Sequence, residues 1–260
     1  MIYLKTAEEI ELLRESCLLV SKTLAELAKL VKPGVSTAQL NKVAEEFILD
    51  NGATAPCKGY CGYPAAICTS VNDEIVHGIP SEKQILKDGD IISIDLCTLK
   101  NGFVGDSAYT FCVGDVAPEI RQLLKTTKES LFKGIEQAVE GNRVGDVSNA
   151  IQSYCEAAGY GVVREMIGHG IGRNMHEAPE VPNYGRRGTG TLLRTGMTIC
   201  IEPMITLGNR ALRFDSDGWT TRTVDGKFAA HFEHAVAIRK GKADILSDFG
   251  IIENVLKNLN

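Results

Sequence analysis

The segment IISIDLCTLKNGFVGDSAYTF, residues 91–111, predicts a long β-hairpin that carries two carboxylates inside its strands. Asn101-Gly102 is the dipeptide that most strongly signals a two-residue turn between antiparallel strands. Asp95 interrupts an apolar strand before this turn, and Asp106 lies in the strand after it. A carboxylate in an apolar strand is energetically costly unless it is paired or binds a metal ion.

The register of the predicted hairpin places both carboxylates on one face. With a two-residue loop, Cys97 lies opposite Asp106, and Asp95 is the diagonal neighbour of Asp106, roughly 7–8 Å away. Two carboxylates this close repel each other unless a cation lies between them. The alternative interpretation is an edge hairpin with both acids in solvent, because one face of an antiparallel sheet is often hydrated.

The sequence around the hairpin predicts an α+β fold with amphipathic helices and further short strands. Residues 53–80 are rich in Gly, Pro, Cys and Tyr, which is typical of irregular structure beside a binding site. The other predicted elements are a helix from the capping box at Thr6 to before Pro33-Gly34, a helix from the capping box at Ser36 to Asn51-Gly52, helices from Pro118 to about Glu140 and from about Asp146 to Ala158, and strands at Gly161–Ile167, Met197–Glu202 and Ala229–Ile238.

A faint internal repeat indicates two similar halves, about residues 1–115 and 116–260. At an offset of 107 residues, Leu40, Ala44, Phe47 and Gly52 coincide with Val147, Ile151, Tyr154 and Gly159. The repeat predicts helices packed on one side of a mainly antiparallel sheet. Because no linker or low-complexity stretch separates the halves, we expect one domain over residues 1–260.

Composition excludes several classes of protein. The 260 residues carry 28 basic and 33 acidic side chains, a net charge of -5, which argues against a dedicated nucleic-acid binder. No apolar run approaches the ~18 residues that span a membrane, and the N-terminus lacks the features of a secretory signal. We therefore expect a cytoplasmic protein with reduced thiols.

The eight cysteines include no CxxC pair, and only Cys57, Cys61 and Cys68 form a cluster. The cysteine content is well below that of a disulfide-rich scaffold. The cluster favours thiols that pack in a loop or line a pocket, and a zinc site there is the alternative.

Further candidate ligands lie in the second half of the chain. His169 is surrounded by glycines that allow a ligand to approach the backbone closely, and His176 follows seven residues later. Glu202 ends an apolar strand directly before Pro203, and Glu233 lies within another. Each acid alone could be a core acid held by a salt bridge.

Charge counting indicates what such a site would hold. Asp95, Asp106, Glu202 and Glu233 carry four negative charges, which two divalent cations cancel, whereas neutral His169 adds none. Oxygen-rich ligation with one imidazole suits Mn, Fe, Co or Zn better than a thiolate zinc site does. Two such ions can lower the pKa of a bridging water and polarise a carbonyl group, so the set predicts metal-assisted hydrolysis.

Residues 166–184 have the pattern M-x-G-H-G-I-G-x-x-x-H-x-x-x-x-V-x-N-Y. With the contexts of Asp95, Asp106, Glu202-Pro203 and Phe232-Glu233-His234, this pattern closely resembles the methionine aminopeptidases of the short type I, bacterial-like form. The resemblance extends from about Leu12 to Ile238. It implies the pita-bread fold and the removal of N-terminal methionine from nascent polypeptides.

The resemblance also implies roles for the ligands. Asp95 and Asp106 bind one divalent ion, His169 and Glu202 help to bind a second, and Asp106 and Glu233 bridge the pair. Glu202 is also implied to be the general base for the bridging water. The ions can be Co, Mn, Fe, Ni or Zn, and the sequence does not select among them.

For the substrate, the resemblance implies that His77 contacts the scissile amide and assists the leaving amine, while His176 hydrogen-bonds the carbonyl and stabilises the oxyanion. The implied walls of the methionine pocket are Cys57, Tyr60, Tyr63, Cys68, Met175 and Trp219. Met175, Ala178 and His231 stand where the family usually has phenylalanine, glutamate and glutamine, so pocket shape can differ from that of relatives.

Two other functions stay open at this point. One is a prolidase or aminopeptidase P-like hydrolase of X-Pro bonds, which shares the fold and ligands. The other is a non-catalytic binding module on the same fold, although such modules typically lose the metal ligands. By analogy we expect a monomer acting on peptides that begin with methionine, with the ribosome as a further candidate partner and no nucleic-acid or membrane site.

Overall fold

The computed structural model describes residues 2–259 as helices packed against short antiparallel sheets. The helices are α1 (Ala7–Ala28), α2 (Thr37–Asp50), α3 (Pro118–Gln137), α4 (Val144–Ala157) and α5 (Phe249–Leu259). The strands are β1 (Cys68–Val71), β2 (Glu74–Val76), β3 (Ile91–Lys100), β4 (Phe103–Cys112), β5 (Gly161–Val162), β6 (Gly168–Gly170), β7 (Glu177–Val181), β8 (Thr198–Ile201), β9 (Met204–Thr206), β10 (Leu212–Phe214), β11 (Thr221–Thr223), β12 (Ala229–His231), β13 (His234–Ala237) and β14 (Asp244–Ile245).

The strands form four groups, in the orders β1-β3-β4, β10-β11-β2, β12-β9-β5 and β14-β13-β8-β6-β7. Every ladder between these strands is antiparallel. The predicted α+β class with mainly antiparallel sheet is therefore confirmed. Within residues 2–259, none of the helices combines the length and apolar character needed to cross a lipid bilayer.

The predicted hairpin is present with the predicted register. Strands β3 and β4 meet at Asn101-Gly102, and Cys97 lies directly opposite Asp106. On the other side of β3, Cys68 of β1 lies opposite Asp95. Helix α1 crosses the hairpin so closely that a Cβ at Gly105 would lie 2.3 Å from the backbone nitrogen of Cys17.

The helix starts follow the predicted capping signals. Thr6 and Ser36 form complete capping boxes with the residues three positions later, and Pro118 is the first residue of α3. Helix α3 ends at Gln137 rather than near Glu140, because the backbone there bonds to Arg239. Helices α2 and α4 each have 14 residues, and they begin 107 positions apart, which is the offset of the predicted repeat. The division of the chain into two similar halves stays a prediction.

Two strand predictions are wrong in extent. Only Gly161 and Val162 of the predicted strand 161–167 join a ladder, since the Arg164 amide bonds to the side chain of Glu165 instead of to a partner strand. The predicted strand 229–238 is interrupted. The chain pairs with β9 up to His231 and with β8 from His234, so Glu233 falls between two ladders.

Helix α5 was not predicted from the sequence. It packs against α1, and its aromatic residue Phe249 stacks on the ring of His234 with centroids 3.7 Å apart. The main apolar core lies between α1 to α4 and the inner faces of the sheets. The opposite faces of β3, β4 and β8 point to a second, sulfur-rich cluster of buried residues.

Candidate metal centre

Every site residue predicted from the sequence lies on the wall of one cavity of about 390 Å³. They are Cys57, Tyr60, Tyr63, Cys68, His77, Asp95, Asp106, His169, Met175, His176, Glu202, Trp219 and Glu233. These residues come from distant parts of the chain, and the fold brings all of them together. Their individual roles stay predictions.

Two acids of the cavity are buried, Asp95 and Glu202 are half-buried, and none of the four has a lysine or arginine partner within residues 2–259. Asp106 is 4% exposed and Glu233 is 2% exposed. The atoms Oδ1 of Asp106 and Oε1 of Glu233 have no hydrogen-bond partner. Across the described residues 2–259, no lysine or arginine forms an ion pair with Asp95, Asp106, Glu202 or Glu233. The alternative of a solvated edge hairpin is therefore wrong.

Burial and mutual repulsion disturb the ionisation of these carboxyl groups. Burial raises the pKa of Asp95 to about 7. Burial and the neighbouring carboxylates raise the pKa of Asp106, Glu202 and Glu233 well above the ordinary values. Four such groups in one cavity form a site that a cation would stabilise strongly.

His169 is oriented as a neutral ligand. Its Nδ1 lies 3.0 Å from the carbonyl oxygen of Gly170, so Nδ1 carries the proton and Nε2 presents its lone pair to the cavity. Nε2 lies 3.8 Å from Oδ2 of Asp106 and 3.5 Å from Oε1 of Glu202. Burial, with a smaller effect of His176, lowers the pKa of His169 to about 4, which keeps the ring neutral.

These residues fit a divalent metal ion. One ligand atom from each of Asp106, His169, Cys200 and Glu233 lies within 4.8 Å of the others. The unpartnered carboxylate oxygens supply acceptors, and the imidazole supplies a borderline nitrogen ligand. Asp95 and Glu202 border the same cavity. We conclude that the carboxylates and the imidazole of this cavity bind divalent metal.

Cys200 is a residue that the sequence analysis missed. It lies two positions before Glu202 on β8, and side chains two apart on a strand share a face. That spacing is a signal that could have identified it. Cys97 and His231 also line the cavity, and both ring nitrogens of His231 are buried without a partner.

The apolar end of the cavity is lined by sulfur and aromatic rings. Tyr63 and Trp219 make an edge-to-face contact with centroids 5.1 Å apart. The Tyr63 hydroxyl donates to the carbonyl groups of Ile67 and Gly78, which fixes its ring. Cys57, Cys68 and Met175 complete this wall. The predicted zinc alternative at Cys57, Cys61 and Cys68 is not favoured. Cys61 is exposed while the other two are buried, and the group of ligand atoms that lie close together among the described residues contains none of the three.

Two further histidines, His77 and His176, line the cavity. His77 has the left-handed backbone angle φ +60°, a conformation that is uncommon for residues other than glycine and is typical of functional sites. Its ring lies edge-on to Trp219 at 6.1 Å. The ring of His176 lies 4.3 Å from that of His169, and its Nδ1 lies 2.8 Å from the Tyr60 hydroxyl.

A buried carboxylate cluster with a neutral imidazole, inside a cavity with an apolar end, defines a metal-dependent hydrolase. The sequence profile of metallopeptidase family M24 matches residues 11–240, and the chain belongs to this family.

Individual members of the family are similar to this chain over most of its length. A methionine aminopeptidase from Clostridium acetobutylicum is 51% identical over 247 residues, covering 95% of this chain and 99% of the relative. The crystal structure of methionine aminopeptidase from Rickettsia prowazekii superposes with a TM-score of 0.94 at 40% identity, covering 95% of this chain and 100% of that one. Prolidase from Pyrococcus furiosus shares the fold, with a TM-score of 0.77 at 23% identity, and 65% of its chain is covered.

Proposed function

We propose that the protein is a metal-dependent aminopeptidase that removes the N-terminal methionine from polypeptides. The observation that carries this proposal is the convergence of His169 with unpaired buried carboxylates beside a pocket of sulfur and aromatic side chains. Curated relatives at 40–51% identity are named methionine aminopeptidase.

We propose two divalent ions in the centre, drawn from Mn, Fe, Co, Ni and Zn. Asp95 and Asp106 would hold one, His169 and Glu202 the other, and Asp106 and Glu233 both. The four carboxylates are then neutralised by four positive charges, which supports two ions rather than one. When bound, such ions lower the pKa of water and polarise a carbonyl group.

Side chains of the protein then transfer the protons and orient the substrate. Glu202 is the general base, and its raised pKa brings its proton affinity closer to neutral pH, where a base works best. Nδ1 of His176 lies 2.8 Å from the Tyr60 hydroxyl. In the tautomer whose Nδ1 accepts from this hydroxyl, Nε2 carries a proton that it can donate to the substrate carbonyl oxygen. His77, held in its strained conformation, is placed to contact the leaving amine.

The pocket selects the methionine side chain. An unbranched thioether packs favourably against aromatic edges and polarisable sulfur, and the wall offers Tyr63, Trp219, Cys57, Cys68 and Met175. The rest of the peptide then extends past Tyr60, which lines the same cavity and is 41% exposed.

Hydrolysis of X-Pro bonds is the rival activity, since prolidase shares the fold. A competition between a Met-Ala-Ser peptide and an X-Pro peptide, at equal concentrations with the metal-loaded enzyme, distinguishes the two. We expect cleavage of the Met peptide alone. Preferential cleavage of the X-Pro peptide would replace the proposal, and cleavage of neither peptide with any of the five metals would favour a binding module.

Several expectations from the sequence also remain part of this proposal. These are a single domain over residues 1–260, a monomeric state, a cytoplasmic location and access to nascent chains at the ribosome. Size-exclusion chromatography with light scattering tests the monomer, and cosedimentation with ribosomes tests the partner.

A further inference from the structure

Cys200 lies against the carboxylate cluster and has no role in the proposed reaction. It is fully buried in β8, where it lies opposite Ala235 of β13. Strand alternation points its side chain to the same side as Glu202 and away from the apolar neighbours Ile199 and Ile201, which belong to the main core. The thiol interacts with the carboxylate of Glu233.

The thiol of Cys200 is one of four donor atoms that lie close together. Ligand atoms from Asp106, His169, Cys200 and Glu233 all lie within 4.8 Å of one another. Zinc binds oxygen and nitrogen at about 2.0–2.2 Å and thiolate sulfur at about 2.3 Å, so its ligands lie roughly 3.3–3.8 Å apart. A contraction of at most about 1–1.5 Å from the 4.8 Å limit therefore brings the four atoms onto one ion.

A second observation points to a ligand at this place. Oδ1 of Asp106 and Oε1 of Glu233 are buried acceptors without partners, and both residues are more than nine-tenths buried. Buried polar atoms are nearly always paired, with protein, water or an ion. The thiol therefore belongs to a group of donors that already requires a cation.

We propose that Asp106, His169, Cys200 and Glu233 form a mixed oxygen, nitrogen and sulfur site that binds a thiophilic divalent ion, Zn²⁺ or Cd²⁺. As the ion binds, the Sγ–H bond of Cys200 breaks, the bond from Sγ to the ion forms, and the proton leaves to the buffer. Three anionic ligands and one neutral imidazole then surround a single ion.

This site shares three residues with the centre of the proposed function and uses them differently. Hard ions such as Mn²⁺ prefer carboxylate oxygen, whereas Zn²⁺ and Cd²⁺ accept thiolate readily. Hard ions therefore leave the sulfur protonated, while thiophilic ions recruit Cys200 and do not need Asp95 or Glu202. Cys200 is thus a determinant of which metals the protein retains.

The test uses the full metal-free chain and Cd²⁺ alone. Titration should produce the ultraviolet charge-transfer absorption of a cadmium–thiolate bond, saturating with the first equivalent. The variant Cys200→Ser should lose this absorption and weaken Cd²⁺ binding at least about tenfold, a usual cost of altering a metal site. Binding of Mn²⁺, measured by calorimetry, should stay close to the wild-type value.

Two matched variants control for the other buried thiols. Cys155→Ser removes a buried thiol of α4 that lies outside the cavity, and Cys97→Ser removes one that lines it. Both should keep the absorption. If the absorption is absent in the wild type, or persists in Cys200→Ser, or disappears in Cys97→Ser alone, the proposal is wrong.

A measurement on the wild type avoids dependence on the folding of any variant. The ¹¹³Cd NMR chemical shift reports how many sulfur atoms bind the ion, and we expect one. A shift typical of oxygen and nitrogen ligands only, or of two sulfurs, overturns the assignment. Neither readout requires peptide cleavage, so failure of the peptidase proposal would be recognised separately by absent turnover in the Mn²⁺-loaded enzyme.

Discussion

Nε2 of His169 lies 3.8 Å from Oδ2 of Asp106, although 63 residues separate them in the chain. The two side chains arrive from strands of different sheets, β6 and β4, and within residues 2–259 no lysine or arginine forms an ion pair with Asp106. This proximity joins the hairpin of the first half to the glycine-rich segment of the second. The centre therefore depends on the relative placement of both sheets.

Replacing either of the two carboxylates that we propose to bridge the ions should abolish activity. Asp106→Asn and Glu233→Gln keep the shape of the side chain but remove a negative charge, so we expect turnover to fall by more than about 10²-fold and metal affinity to fall by at least about tenfold. Calorimetric titration with Mn²⁺ and a Met-peptide assay measure the two effects. Asp115→Asn, an exposed acid paired with Arg121, is the control and should change neither. Normal turnover in either bridging variant would disprove the assigned roles.

His77 should affect turnover without affecting metal occupancy. The variant His77→Asn keeps a residue that tolerates φ +60°, whereas His77→Ala adds strain at that angle. We expect both variants to lower kcat, by about 10–10²-fold, with metal content by elemental analysis equal to that of the wild type. Loss of metal from the Asn variant would show that His77 belongs to the metal site.

The pocket aromatic should govern substrate affinity. Trp219→Ala removes the edge-to-face contact with Tyr63 and one wall of the pocket, so we expect KM for a Met-Ala-Ser peptide to rise by about 2–10-fold, the size of a sulfur–aromatic contact. Phe214→Ala, an aromatic residue that is 59% exposed, is the control. Equal KM values in wild type and Trp219→Ala would exclude Trp219 from the methionine pocket.

His77 should also make the fold less stable in mild acid. Burial, with a smaller effect of His176, lowers the pKa of His77 to about 4, against about 6.5 in the unfolded chain. Between these values the unfolded chain binds more protons, so the free energy of unfolding falls as the pH drops from about 6.5 to about 4.

The comparison of two pH values isolates this effect. For the metal-free chain we expect His77 to account for a loss of about 1–2 kcal/mol between pH 7 and pH 5. Urea unfolding at both pH values, in wild type and in His77→Asn, measures the loss, which should be smaller in the variant. An equal loss in both proteins would show that His77 titrates normally in the fold.

The sequence predicted the local features of the fold well. The Asn101-Gly102 turn set the register that places Cys97 opposite Asp106, and the capping residues marked the helix starts, because turn and cap chemistry act over a few residues. The interruption at Glu233 was missed, since an apolar run does not show where a strand changes partners.

The grouping of the four acids with His169 was predicted from acids placed in apolar strands and from charge counting, whereas the substrate pocket and the individual roles were predicted from the family resemblance. Cys200 was missed because it is an ordinary residue of an apolar strand until the neighbouring sheets are in place. Periodicity reports which face of a strand is buried, whereas the partners of a buried side chain depend on contacts between distant segments.

The most direct test of the central claim is the release of free methionine from a Met-Ala-Ser peptide by metal-free protein as Mn²⁺ is added under anaerobic conditions. The account predicts no release without metal, release that rises as the centre fills, and loss of that release in Glu233→Gln. Release that is independent of metal, or no release with Mn, Fe, Co, Ni or Zn, would contradict it.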